Sequence, residues 1–131
     1  MPDDYAGKEK REFFRYRHVK PAKFKEILPK DHAVSDLSDA VTKNLSASGM
    51  LFTSEYPPHL SSIIVLDIDY RTTVLCEEIE ARALILNNRL LGKVVRIEDN
   101  DNGSYDIGVA FIKKSETLPE EILKLSAGGT I

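Results

Sequence analysis

Arg11 and Arg15 stand four positions apart and enclose an aromatic pair, Phe13 and Phe14, inside the basic stretch from Lys8 to Arg17. A guanidinium is planar, permanently charged and carries a fork of donors. The fork matches two phosphate oxygens, or the O6/N7 edge of a guanine, in a bidentate way that an ammonium cannot. Its flat face also stacks on a base or an aromatic ring. Brought together by one turn or a bent loop, two such groups can clamp a small anionic nucleotide. A solvated basic run near a terminus is the competing reading, and for this stretch alone it is the stronger one.

A second element lies further along the chain, at Asn44-Leu45-Ser46-Ala47-Ser48-Gly49. Asn and Ser offer short donors and acceptors that also stabilise tight turns. Gly49 permits a positive φ and lets another group approach the backbone closely. Taken by itself, this spacing reads as a plain strand-to-strand turn.

The whole-chain totals narrow the function classes. At 131 residues, with 42% hydrophobic and 30% charged residues, the chain is one ordinary globular domain with a modest core. Its net charge of −3 argues against a nucleic-acid polymer as partner, which calls for a basic excess. The positive charge is local, at residues 8–25, which suits a small ligand. A single cysteine, Cys76, excludes an intramolecular disulfide and suits a reducing compartment. No apolar run approaches the ~18 residues that span a bilayer. The expectation is a cytoplasmic protein without membrane insertion.

The elements that must position these groups are mostly short strands. Val19 to Leu28 is extended, with Ala22, Phe24 and Glu26 on one face, and Pro29 to His32 is a turn. Leu37 to Leu45 alternates through Leu37, Asp39, Val41 and Lys43 and runs into the Asn44–Gly49 segment. Met50–Thr53 is a third strand, stopped by Tyr56-Pro57-Pro58, and Ile63–Ile68 is a β-branched fourth. Glu78 to Leu86 satisfies a strand period and a short helix about equally, and strand is favoured. Lys93–Ile97 and Tyr105–Phe111 are strands joined by a loop with Asn-Gly chemistry at Asn102-Gly103. In the tail, Thr117 and Glu120 make a capping-box signal, Pro119 fits the first turn, and Leu118, Ile122 and Leu125 share a face before Gly128-Gly129. The predicted fold is mainly all-β: a small antiparallel barrel or sandwich of six or seven strands with a C-terminal α-helix.

In order and separation, the two elements resemble the signature of the PilZ domain family, bacterial receptors for the second messenger cyclic di-GMP. That family carries R-x-x-x-R at the N-terminal edge of its barrel, here Arg11-Glu12-Phe13-Phe14-Arg15, and D/N-x-S-x-x-G on the barrel surface, here Asn44 to Gly49. The resemblance extends through Gly49-Met50-Leu51-Phe52 to a closing hairpin at Gly92–Ile97 and Tyr105–Phe111. It implies a PilZ-type barrel over residues 9–112, after a flexible N-terminus at 1–8 and before a C-terminal helix and tail at 113–131.

The resemblance also implies residue roles. Arg11 and Arg15 grip guanine edges and phosphates, Asn44 and Ser46 hydrogen-bond a guanine or a phosphate, and Gly49 leaves room for the base. Lys10, Ser48 and Arg96 are candidate additional contacts. Lys10 stands where many relatives carry a second arginine, a position associated with two intercalated ligand molecules. Lysine keeps the charge without the fork, so one or two ligands are both open and two is favoured. Arg96 stands where some relatives place a ring against a guanine; it could stack its guanidinium there or pair with Glu98 or Asp106. Contacts to charged groups of about 1.5–3 kcal/mol each reach micromolar affinity after ordering costs.

The implied function is a non-catalytic receptor and adaptor, with no cofactor, acting as a monomer or homodimer. Residues 1–17 would order over the Asn44–Gly49 face on binding, so that ligand builds a surface for an unknown effector protein. The alternative is a ligand-blind adaptor of the same fold acting only by protein–protein contact; a small-barrel RNA or single-stranded DNA binder ranks third. His18, His32 and His59 lack metal-ligand spacing. Cys76 is flanked by acids that disfavour a nucleophilic thiolate. The carboxylates at Asp67/Asp69 and Glu77/Glu78/Glu80 have nothing to orient them for acid–base work, Gly103 and Gly108 form no phosphate loop, and Phe13-Phe14 is better read as packing.

Overall fold

The computed structural model describes residues 16–127. In chain order these form β1 (Tyr16–Ile27), β2 (Ser38–Leu45), β3 (Gly49–Ser54), β4 (Ile63–Asp67), α1 (Cys76–Arg82), β5 (Ile85–Leu86), β6 (Arg89–Asp99), β7 (Tyr105–Phe111) and α2 (Glu120–Ala127). Neighbours pair antiparallel in the order β4-β1-β2-β3-β7-β6, and β4 pairs again with β6. That last pairing closes a six-stranded barrel and leaves none of the six with a free edge. β5 hangs outside, paired to β6. The expected small antiparallel barrel with a C-terminal helix is the fold observed.

Alternation along each strand fills the interior. On β1 the inward residues are Ala22, Phe24 and Glu26, the face read from the sequence. Phe24 meets Phe52 at 5.0 Å and Tyr56 at 5.9 Å between ring centroids. On β2 the period is as expected, but Leu37, Asp39, Val41 and Lys43 form the solvent face while Ala40 and Thr42 point inward.

Glu26 is fully buried, yet it is well supplied with donors. The Tyr56 hydroxyl and, at 2.6 Å, the His59 amide donate to its carboxylate, with the His59 ring nitrogen 3.1 Å away. Burial alone would raise its pKa, but the hydrogen bonds from Tyr56, His59 and Ser62 hold it below the ordinary value. Burial and the Glu26 charge in turn push the Tyr56 phenol up to about 12.

Glu78–Leu86 departs from the strand expectation. Cys76–Arg82 is a helix, and the chain becomes extended again only at Ala83. Leu75, Ile79 and Ala83, spaced by four, are all buried against the barrel core, whereas Ala81, needed inside by the strand reading, is exposed. Glu77 and Glu78 in the first turn and Arg82 in the last complement the helix dipole. Such a short helix is held by tertiary packing rather than by propensity.

The tail helix uses the expected face. Ile122 packs on Ile27 and Val65, with Leu118, Leu125 and Ile63 around it. β4 is therefore covered on both sides, with Ile64 and Leu66 toward the barrel interior and Val65 beneath α2.

Candidate functional site

The turn between β2 and β3 is knitted by one buried hydroxyl. Ser46 Oγ accepts the Gly49 N–H at 3.1 Å and the Ser48 N–H at 3.3 Å, and lies 3.3 Å from the Ser48 hydroxyl. The Ser46 N–H closes the turn on the Gly49 carbonyl at 2.8 Å. Ser46 is thus committed inward, while Ser48 and Asn44 reach the surface. Gly49 does not use a left-handed backbone. It is required by a close approach: a Cβ there would stand 2.2 Å from the Val109 carbonyl oxygen on β7. Of the two properties read from the sequence at Gly49, close backbone approach is the one used and positive φ is not.

From this turn, one registered row runs outward-facing across five strands. Arg17 lies opposite Asn44, Asn44 opposite Leu51, Leu51 opposite Gly108, and Gly108 opposite Arg96. The ladder slips at three places along this row: between Arg17 and Lys20 on β1, between Thr42 and Asn44 on β2, and between Val94 and Arg96 on β6. Such bulges bend a strand and re-aim its side chains, and they collect beside binding sites. Here the irregular positions include Val19, Lys43 and Val95, and all three line concavities on this face.

Asn44 belongs to both concavities. On one side, a hollow of about 350 Å³ is lined by Asn44, Leu51, Val95, Arg96 and Gly108, with Met50 and Val109 beneath. Arg96 crosses a bare backbone there: a Cβ on Gly108 would lie 3.3 Å from its Cβ and 3.8 Å from its Nε. On the other side, Arg17, Val19, Lys43 and Asn44 line a hollow of about 450 Å³. Apolar side chains beside guanidinium groups suit a ligand that combines rings with negative charge.

Electrostatics sharpen the picture. Asp106, one outward position along β7 from Gly108, accepts from Thr53 Oγ1 at 2.8 Å and Asn100 Nδ2 at 3.0 Å, with the Lys43 ammonium at 3.5 Å. The Asn100 hydrogen bond leads in holding its carboxyl below the ordinary value, against burial and with help from Thr53 and Lys43. Among the described residues neither Arg17 nor Arg96 makes an ion pair. Of the two roles open to Arg96, pairing with Glu98 or Asp106 is therefore not the one adopted.

Lys10, Arg11, Arg15 and the Phe13-Phe14 pair lie outside the described residues. Tyr16, covalently next to Arg15, is already in β1 and registered against Leu45. The described chain therefore enters the barrel beside the Asn44–Gly49 turn, and of the expected leader of residues 1–17 the last two residues belong to the strand. Arg17, Lys43 and the floor at Gly108 were not legible as site residues, because bulges and strand order set their placement.

Among the described residues no group of three or more His, Cys, Asp or Glu could hold a metal ion. Burial and the nearby Glu80 carboxylate push the Cys76 thiol up, away from a nucleophilic thiolate. Among those residues, too, no helix is long and apolar enough to cross a membrane.

The family model of the PilZ domain matches residues 9–128. No curated protein matches the chain significantly.

Proposed function

The chain belongs to the PilZ domain family, and from that premise we propose that it is a cyclic di-GMP receptor whose bound state is read by a partner protein. PilZ domains are typically non-catalytic receptors, and the family typically binds this ligand. The observation that carries the reading is the row Arg17–Asn44–Leu51–Gly108–Arg96, with a hollow on each side of Asn44. It begins at Arg17, two residues after Arg15 in the sequence.

The ligand is a dianion with two flat purines. The Arg96–Gly108 hollow offers a guanidinium plane and apolar walls for one base, and Asn44 offers an amide to its edge. Arg11 and Arg15 supply forks for a guanine edge and the phosphates, with Lys10 and Ser48 as further contacts. Ser46 and Gly49 act by shape, holding the turn so that Asn44 and Ser48 present outward. Neutralising the two arginines draws residues 1–15 across this face and creates a surface that the unliganded protein lacks. The partner engages that composite surface.

Calorimetric titration with cyclic di-GMP tests the reading, using cyclic di-AMP as the comparison because adenine lacks the O6 acceptor. Wild type binds cyclic di-GMP at micromolar levels and discriminates against the adenine analogue, and Arg15→Ala and Asn44→Ala each lose at least about tenfold. Absence of binding by wild type would overturn the receptor reading and favour an adaptor that works by protein contact alone.

A further inference from the structure

We infer that Lys43 is a cation held in reserve for a ligand phosphate, with Asp106 as the residue that positions it. This deepens the proposed binding of a cyclic dinucleotide and rests on it. Lys43 is the extra residue of the β2 bulge, since Thr42 faces Phe52 and Asn44 faces Leu51 with Lys43 between them. The bulge lifts Lys43 out of the ladder and puts it on the wall of the hollow shared with Arg17, Val19 and Asn44. Lys43, Arg17 and Asn44 share that wall, so an ammonium swung back from β7, a guanidinium and a side-chain amide can converge on a phosphodiester there.

In the structure the ammonium leans across β3 to Asp106 Oδ1 at 3.5 Å. This is the longest of the three contacts on that oxygen, after Thr53 at 2.8 Å and Asn100 at 3.0 Å. Because those two neutral donors stay in place, Asp106 remains hydrogen-bonded when Lys43 leaves. Exchanging a long contact with a carboxylate for a short one with phosphate is thus inexpensive. The Lys43 side chain is also 48% exposed, which leaves it free to swing, while Asp106 is only 18% exposed and stays fixed. Asp106 therefore positions the ammonium outside the hollow through a weak ion pair and competes with the ligand for it.

Double-mutant titration with cyclic di-GMP tests the inference, with thermal melts confirming that each variant is folded. Lys43→Met weakens binding about tenfold, the loss of one charge-assisted contact at a partly exposed site, whereas Lys43→Arg stays within about threefold of wild type. Asp106→Asn tightens binding by a few-fold, because the competitor for Lys43 is gone. In the Lys43→Met background that gain disappears, and the double variant binds like Lys43→Met. A general loss of negative charge would give the same gain with or without Lys43, so a gain that survives in the double variant overturns the inference. Lys43→Met binding as tightly as wild type overturns it too and leaves the receptor reading standing. Failure of wild type itself to bind overturns both.

Discussion

Ser46 and Gly49 close the β2–β3 turn on each other, the Gly49 amide donating to the Ser46 hydroxyl at 3.1 Å and the Ser46 amide to the Gly49 carbonyl at 2.8 Å. The Ser46 side chain is buried, and Asn44, two residues earlier, is only half-buried at the divide between two hollows. Two polar residues of one short motif therefore have separable jobs, one building the turn and the other facing outward.

Ser46→Ala removes the acceptor of two amides and lowers stability by about 1–2 kcal/mol, a Tm loss of several degrees. Affinity for cyclic di-GMP falls with it, because the turn relaxes. Asn44→Ala, at a half-buried position, costs less stability than Ser46→Ala and lowers affinity about tenfold. Paired melting and calorimetry on the two variants separate the roles; equal stability losses would refute the division.

The two glycines of this face give opposite outcomes. Gly49→Ala forces a methyl to 2.2 Å from the Val109 carbonyl oxygen, so β3 and β7 must part. The expected cost is about 2–3 kcal/mol by chemical denaturation. Gly108→Ala meets the Arg96 Cβ at 3.3 Å and its Nε at 3.8 Å, so β6 must give by a few tenths of an ångström while the rest of the Arg96 side chain turns aside. Stability then stays within about 1 kcal/mol, but the displaced guanidinium lowers ligand affinity several-fold.

Stability depends on pH at both ends. The folded-state pKa of Glu26 is depressed, so its contribution is complete above the unfolded carboxylate range near ~4.3 and is lost as pH falls through the folded value. Asp69 and Asp106 are depressed as well and share this acid limb. Tyr56 is raised to about 12, so its contribution is complete below the unfolded value near ~10 and is lost between there and 12. Melting temperature against pH should show both limbs. Glu26→Gln makes the acid limb shallower without abolishing it, at a cost of about 1–3 kcal/mol at neutral pH; Tyr56→Phe flattens the alkaline limb.

The tail helix is part of the fold's stability. Ile122 seals Val65 and Ile27 from water on the outer side of β4 and β1. Ile122→Ala is expected to cost about 2–4 kcal/mol by urea unfolding, and a value under about 0.5 kcal/mol would show that α2 is not bound to the barrel.

Local chemistry determines much of this protein. The alternation of Ala22, Phe24 and Glu26 sets the inward face of β1, the four-residue spacing of Leu118 and Ile122 sets the buried face of the tail, and the residues from Asn44 to Gly49 mark a turn. These are short-range properties, because side-chain period and turn preference depend on a few consecutive residues. What tertiary structure alone decided is which distant residues meet. Glu78–Leu86 fits two periods, and only packing on the barrel core, which buries Ile79 and Ala83, selects the helix. Arg96 and Gly108 reach Asn44 because strand order and the bulges at Lys43 and Val95 place them on one row. Register and barrel closure arise from pairing between strands remote in sequence, and no window of local residues encodes them.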